Sequence, residues 1–232
     1  MRLFLLSTLI VFSTFLNASA LVATVQKANG NVKVKSEGSL KKTKLKDGDE
    51  IKEGDLISTS SSATAVMKLV DGSFVVLDAS SSIHFAAVDS AEQKDGKVYY
   101  KITSRNAKNS LKITTPFAII GIKGTTFIIN AKEEEASVSL KEGLVGVQSI
   151  KEEFELYRKQ VEEEFNNYVS DEMAEFEAFK KEGEDGVAQM TKEFDLKEGN
   201  TISFAGQKVK ESGWTAEDDA EFDRFEELIN SI

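Results

Sequence analysis

The stretch Thr115-Pro116-Phe117-Ala118-Ile119-Ile120-Gly121-Ile122-Lys123-Gly124-Thr125-Thr126-Phe127 contains the chain's one proline, two closely spaced glycines and an otherwise β-forming run. Proline fixes φ and lacks an N–H, so Pro116 belongs at a strand start or bend. Gly121 and Gly124 mark positions where a side chain would block a turn or a close backbone approach. The reading is two short strands joined by a tight corner.

Outward from this corner, residues 21–149 show short β-type runs separated by turn signals. Leu21 to Gln26 and Asn31 to Lys35 flank Asn29-Gly30, a hairpin signal because both central residues tolerate φ > 0. Ala63 to Val70 and Phe74 to Leu77 flank Asp71-Gly72-Ser73. Ser82 to Ala86, Val98 to Thr103, Leu111 to Thr114 and Leu144 to Val147 continue the series. The spacing suits an all-β sandwich, barrel or solenoid.

The order Gly54-Asp55-Leu56-Ile57-Ser58-Thr59, Ser62 to Asp71-Gly72-Ser73, then Thr115-Pro116 through Gly121-Ile122-Lys123-Gly124-Thr125 resembles the FecR domain family, over roughly Val22 to Gln148. Ser60 stands where a glycine is common in that family and Lys123 where arginine is usual. The resemblance implies a compact, solenoid-like (β-helix-like) domain on the outer side of the bacterial inner membrane, with a leaning toward protein contacts. Well-known members add a cytoplasmic sigma-factor-regulating segment and a membrane span. Neither is recognisable in this sequence, so a transmembrane regulatory role is not carried over. Asp71, Gly72, Ser73, Thr115, Pro116, Gly121, Lys123, Gly124 and Thr125 are the motif positions, read as structural.

From Ile150 the pattern changes. Glu153-Phe154-Glu155-Leu156-Tyr157 recurs as Glu164-Phe165-Asn166-Asn167-Tyr168 and Glu175-Phe176-Glu177-Ala178-Phe179, at eleven-residue spacing. Eleven residues is almost three helical turns, so the spacing predicts one long amphipathic helix over 150–186, with Phe154, Phe165 and Phe176 in line and Tyr157, Tyr168 and Phe179 beside them. Its stripe would cover the β domain or dock a partner. Residues 187–232 then predict a returning β-hairpin around Ala205-Gly206 and a C-terminal helix. That helix is capped by Thr215 and carries a fourth copy, Glu221-Phe222-Asp223-Arg224-Phe225.

The N-terminus reads as an export signal over residues 1–20: Arg2, an apolar run from Leu3 to Leu16, and Ala18-Ser19-Ala20 before the cut. Removing it takes away one basic residue and shifts the net charge from −10 to −11. An acidic exported chain is a poor match for nucleic acid or anionic lipid. The leader's apolar run is shorter than a membrane span, so no integral anchor is expected.

Chemistry is sparse. There is one histidine, His84, and no cysteine. The usual zinc sets and Cys-His catalysis are therefore excluded, and the sequence contains no G-x-S-x-G elbow. Asp47-Gly48-Asp49 and Glu182-Gly183-Glu184-Asp185-Gly186 lack the residue order of a closed calcium loop. No catalytic residue, metal ligand or cofactor is assigned.

The first expectation is a non-enzymatic periplasmic or secreted protein with an envelope protein partner, acting as an interaction or signalling module. An envelope structural or adhesion component binding glycan or cell-wall polymer is the alternative, and a carboxylate-based hydrolase comes last. Oligomeric state is not legible.

Overall fold

The computed structural model describes residues 19–103, 111–122, 124–132, 136–158 and 188–232. Residues 1–18 of the expected leader, Lys123, and the copies at Phe165/Tyr168 and Phe176/Phe179 lie outside the described residues.

Alternating apolar residues build two β-sheets packed face to face. The first holds β1 (Leu21–Asn29), β4 (Glu50–Lys52), β6 (Thr64–Leu69), β7 (Phe74–Leu77), β10 (Lys97–Lys101), β13 (Thr126–Asn130), β14 (Ser137–Glu142), β16 (Phe154–Tyr157), β17 (Ala188–Thr191), β19 (Asn200–Ala205) and β20 (Lys208–Gly213). The second holds β2 (Val32–Lys35), β3 (Thr43–Lys44), β5 (Leu56–Thr59), β8 (Ser82–Ala87), β9 (Ser90–Asp95), β11 (Leu111–Thr114), β12 (Ala118–Ile122), β15 (Leu144–Ser149) and β18 (Glu193–Lys197). A helix, α1 (Ala216–Asn230), closes the chain.

The chain crosses repeatedly between the sheets and advances along both, from the β4/β3 end to the β17/β18 end. This progressive winding is all that remains of the solenoid expectation. The described pairs are antiparallel except β9–β11 and β16–β20, so the strands do not form the parallel coils of a β-helix. Short turns send the chain back beside itself and favour hairpins.

Two further expectations change. The Asn29-Gly30 turn exists, with Gly30 at φ +77°, but its flanking strands lie in different sheets: β1 pairs with β4 and β6, and β2 with β3 and β5. It is a corner between sheets: both edges of β1 are taken by β4 and β6, and both edges of β2 by β3 and β5. Phe154 to Tyr157, expected to begin the long helix, is strand β16. The same four residues also alternate: Phe154 and Leu156 are buried, Glu155 and Tyr157 half-buried. β20 supplies the neighbouring hydrogen-bonding edge, so the period of two wins over the period of eleven.

The core lies between the sheets and includes Val25, Ile57, Leu77, Ile83, Ile113, Ile120, Phe127 and Val147. A buried polar network lies around Gln93. The Gln93 amide donates to the carbonyls of Gly96 (2.8 Å) and Ile129 (3.0 Å) and accepts from the Tyr100 hydroxyl (2.9 Å). Each buried polar group there has a partner, which is the condition under which such a network is tolerated.

Candidate interaction surfaces

The motif residues divide between two ends of the sandwich. At one end Asp71 accepts from the Ser73 N–H (3.1 Å) and hydroxyl (2.9 Å), with Gly72 at φ +86° between them. The buried Ser73 hydroxyl also receives the Thr103 N–H at 3.0 Å, and the neighbouring Ile102 N–H reaches the Thr125 carbonyl at 2.9 Å. The strand end at Ile102 and Thr103 thus joins the Asp71 turn to the Gly124-Thr125 corner. That corner carries the chain from β12 in one sheet to β13 in the other, with Gly124 at φ +65°. Asp71, Ser73 and Thr103 are taken up in turn hydrogen bonds, while the buried Thr125 hydroxyl has no partner among the described residues.

At the other end of β12, about 17 Å away by strand rise, Thr115 and Pro116 make a second turn. The Thr115 hydroxyl accepts from the Ala118 N–H (3.0 Å) and lies 2.9 Å from the Ala118 carbonyl. The turn presents Phe117, whose ring packs on Phe204 at 4.4 Å between centroids. Together they floor a cleft of about 740 Å³ that is also lined by Pro116, Gln207, Lys94, Lys132, Lys151 and Asp95. The Gln207 side-chain oxygen is buried and has no hydrogen-bond partner among the described residues. Among the described residues the lining carries three ammonium groups against one carboxylate, in a chain of net charge −10.

The outer faces of the sheets form two further surfaces. On the first sheet a cross-strand row, Val66, Val76, Tyr99 and Ile128, is buried under α1. Thr215 caps the helix reciprocally with Asp218, and Glu217, Asp218 and Asp219 occupy its positive first turn. Phe222 and Phe225 meet the Tyr99 ring edge-on at 5.8 Å and stacked at 5.3 Å.

Charges rim this contact. Lys97 pairs with Glu221 (2.5 Å), Lys141 with Glu226 (2.8 Å) and Arg224 with Asp78 (2.8 Å). Burial alone would raise the Asp78 carboxyl, yet the Arg224 guanidinium, the Ala79 N–H and the charge of Lys97 hold it below its ordinary value. Burial, and then Glu226, push the Tyr99 hydroxyl far above its ordinary range.

The second sheet's outer face has no such cover among the described residues. It carries a shallow trough of about 650 Å³ over β11, β12, β15 and β18. His84 lies on the same polar face, half-buried and 3.4 Å from Glu92. Among the described residues no three His, Asp or Glu side chains cluster as metal ligands, and no helix is long and apolar enough to cross a membrane.

A two-sheet β domain with Gly72, Gly124 and Thr115 at turns, and with Gly121, expected at a corner, inside strand β12, is the class these features define. Residues 55–146 match the family described as FecR protein. Two solved structures of a candidate anti-sigma factor from Parabacteroides distasonis ATCC 8503, at 2.50 and 1.65 Å resolution, are similar to the chain. Each is 15% identical with a TM-score of 0.47, covering 71% of this chain and 62% of that one. The chain therefore spans under two thirds of their length. No curated protein sequence matches it.

Proposed function

We propose that this chain is a non-enzymatic, exported FecR-domain protein of the cell envelope, a protein-interaction module in signalling. The FecR match at residues 55–146 supports the class, and the leader-like residues 1–20 support export.

The observation that carries the reading is the cleft beside the Thr115-Pro116 turn. It joins an aromatic floor to an excess of ammonium groups, in an acidic chain where a random patch would be acidic. Such a site suits an acidic peptide with an apolar side chain. The orphaned Gln207 oxygen would take a donor N–H from that peptide.

The test is capture of partners by in-cell crosslinking and pull-down of the full chain, in parallel with Phe117→Ala and Lys151→Glu. One defined protein recovered with the native chain and lost with both variants supports the module. Retention on purified cell-wall polymer, with no protein recovered, would replace this reading with the adhesion one.

A further inference from the structure

The open face of the second sheet has a definite pattern. Lys112, Gly121, Gly146 and Asp195 are in register across β11, β12, β15 and β18, one row running the width of the trough. Ile119 and the exposed Leu144 flank the glycines along their strands. Neither glycine has positive φ. A Cβ on Gly121 would meet only the Gly146 carbonyl, at 3.9 Å, and one on Gly146 only that of Gly121 and the Asp195 carboxylate, at 3.9 and 3.8 Å. Nothing among the described residues requires glycine at either place, although glycine weakens a strand interior and often marks where another backbone comes close.

The charges on this face are balanced. Lys112 and Lys197 stand against Glu193 and Asp195, and none of the four has an ion-pair partner among the described residues. A net charge of −10 therefore does not repel a second copy at this patch. The row is also self-complementary. A two-fold axis parallel to the strands, between β12 and β15, places β11 of one copy opposite β18 of the other. Lys112 then faces the partner's Asp195 on both sides, and Gly121 faces the partner's Gly146.

We propose that this face is a self-association surface, on which two copies of the chain meet face to face about that axis. The four-strand patch measures about 19 by 17 Å, roughly 330 Å² on each side by strand spacing and rise. That is well short of the roughly 800 Å² per partner of a stable complex. The dimer is therefore weak and concentration-dependent, of the kind that forms when copies are held close together.

Analytical ultracentrifugation of the full chain up to about 1 mM, at low and high salt, tests this. Reversible dimerisation that weakens with salt is expected. Lys112→Glu and Asp195→Lys should each weaken it at least tenfold, and Gly146→Val should do the same by filling the trough. Mixing the first two variants should restore association, because in the mixed dimer both charge pairs are again opposite in sign.

Both charged positions are exposed, so unchanged melting curves would show that the variants fold. A chain that stays monomeric at 1 mM, or a dimer indifferent to these substitutions, overturns the proposal. So does a monomer whose β12 and β15 amides are protected from hydrogen exchange until residues 159–187 are removed, since the chain's own segment would then be the occupant.

Discussion

The two outer faces of this sandwich solve the same problem differently. On the first sheet the row Val66, Val76, Tyr99, Ile128 is apolar, and water must be kept off it. α1, about 22 Å long at 1.5 Å per residue, spans roughly the width of five strands and lays Phe222, Phe225 and Ile229 on it. Three ion pairs rim that contact. On the second sheet the row Lys112, Gly121, Gly146, Asp195 carries little apolar surface, and its charges have no ion-pair partner among the described residues. One face is completed within the chain, and the other is soluble enough to stand open and patterned enough to meet something. Stability should therefore reside in the first face and association in the second.

The largest test of that division is Phe225→Ala. Phe225 is fully buried between α1 and the sheet, stacked on Tyr99, so its loss should cost about 3 to 5 kcal/mol, read as a large fall in thermal midpoint. Ile119→Ala on the open face should stay within about 0.5 kcal/mol, because its side chain is only partly buried. Equal losses at the two positions would break the comparison.

Alkaline pH should act on the covered face through Tyr99, beside the contribution of the buried Tyr100 in the core between the sheets. The raised Tyr99 hydroxyl keeps its proton in the folded state while the unfolded chain loses it near the ordinary value of 10.0. The folded state then binds more protons, so the Tyr99 contribution declines as pH rises through 10. Tyr99→Phe should flatten the alkaline limb of the stability profile. An unchanged limb would mean that α1 does not hold Tyr99 away from water.

How much of this was legible differs by region. The capped C-terminal helix could be read from Thr215 and the acidic first turn, and its buried side from Phe222 and Phe225, because a helix's cap and stripe are local. The β domain and its turns were legible from Asp71-Gly72-Ser73 and the Thr115–Phe127 stretch. Sheet membership was not: whether Gly30 closes a hairpin or turns a corner depends on which distant strands compete for β1 and β2. Phe154 to Tyr157 satisfied two periodicities at once, and only the edge offered by β20 decides between them. The open face was the least visible. Gly146 within Leu144-Val145-Gly146-Val147 was a signal, but its alignment with Gly121, Lys112 and Asp195 comes from pairing across four strands.

The smallest expected effect concerns the rim of the covered face. Arg224 grips Asp78 through both nitrogens, at 3.1 and 2.8 Å, and ties the middle of α1 to the residue just past β7. Arg224 is substantially exposed, so solvent screens the pair and its contribution is on the order of 1 kcal/mol or less. Its pH dependence is still diagnostic. A carboxyl held below its ordinary value of 3.8 in the folded state contributes stability that is fully present above that value and is lost as pH falls through the folded pKa. Asp78→Asn should thus lower the thermal midpoint slightly at neutral pH, and the gap from the native chain should close below pH 3.8. Lys112→Ala, measured at a concentration where the chain is monomeric, should show no gap at either pH. A gap of equal size for the two variants at neutral pH would mean that the paired rim contributes no more to stability than the open face does.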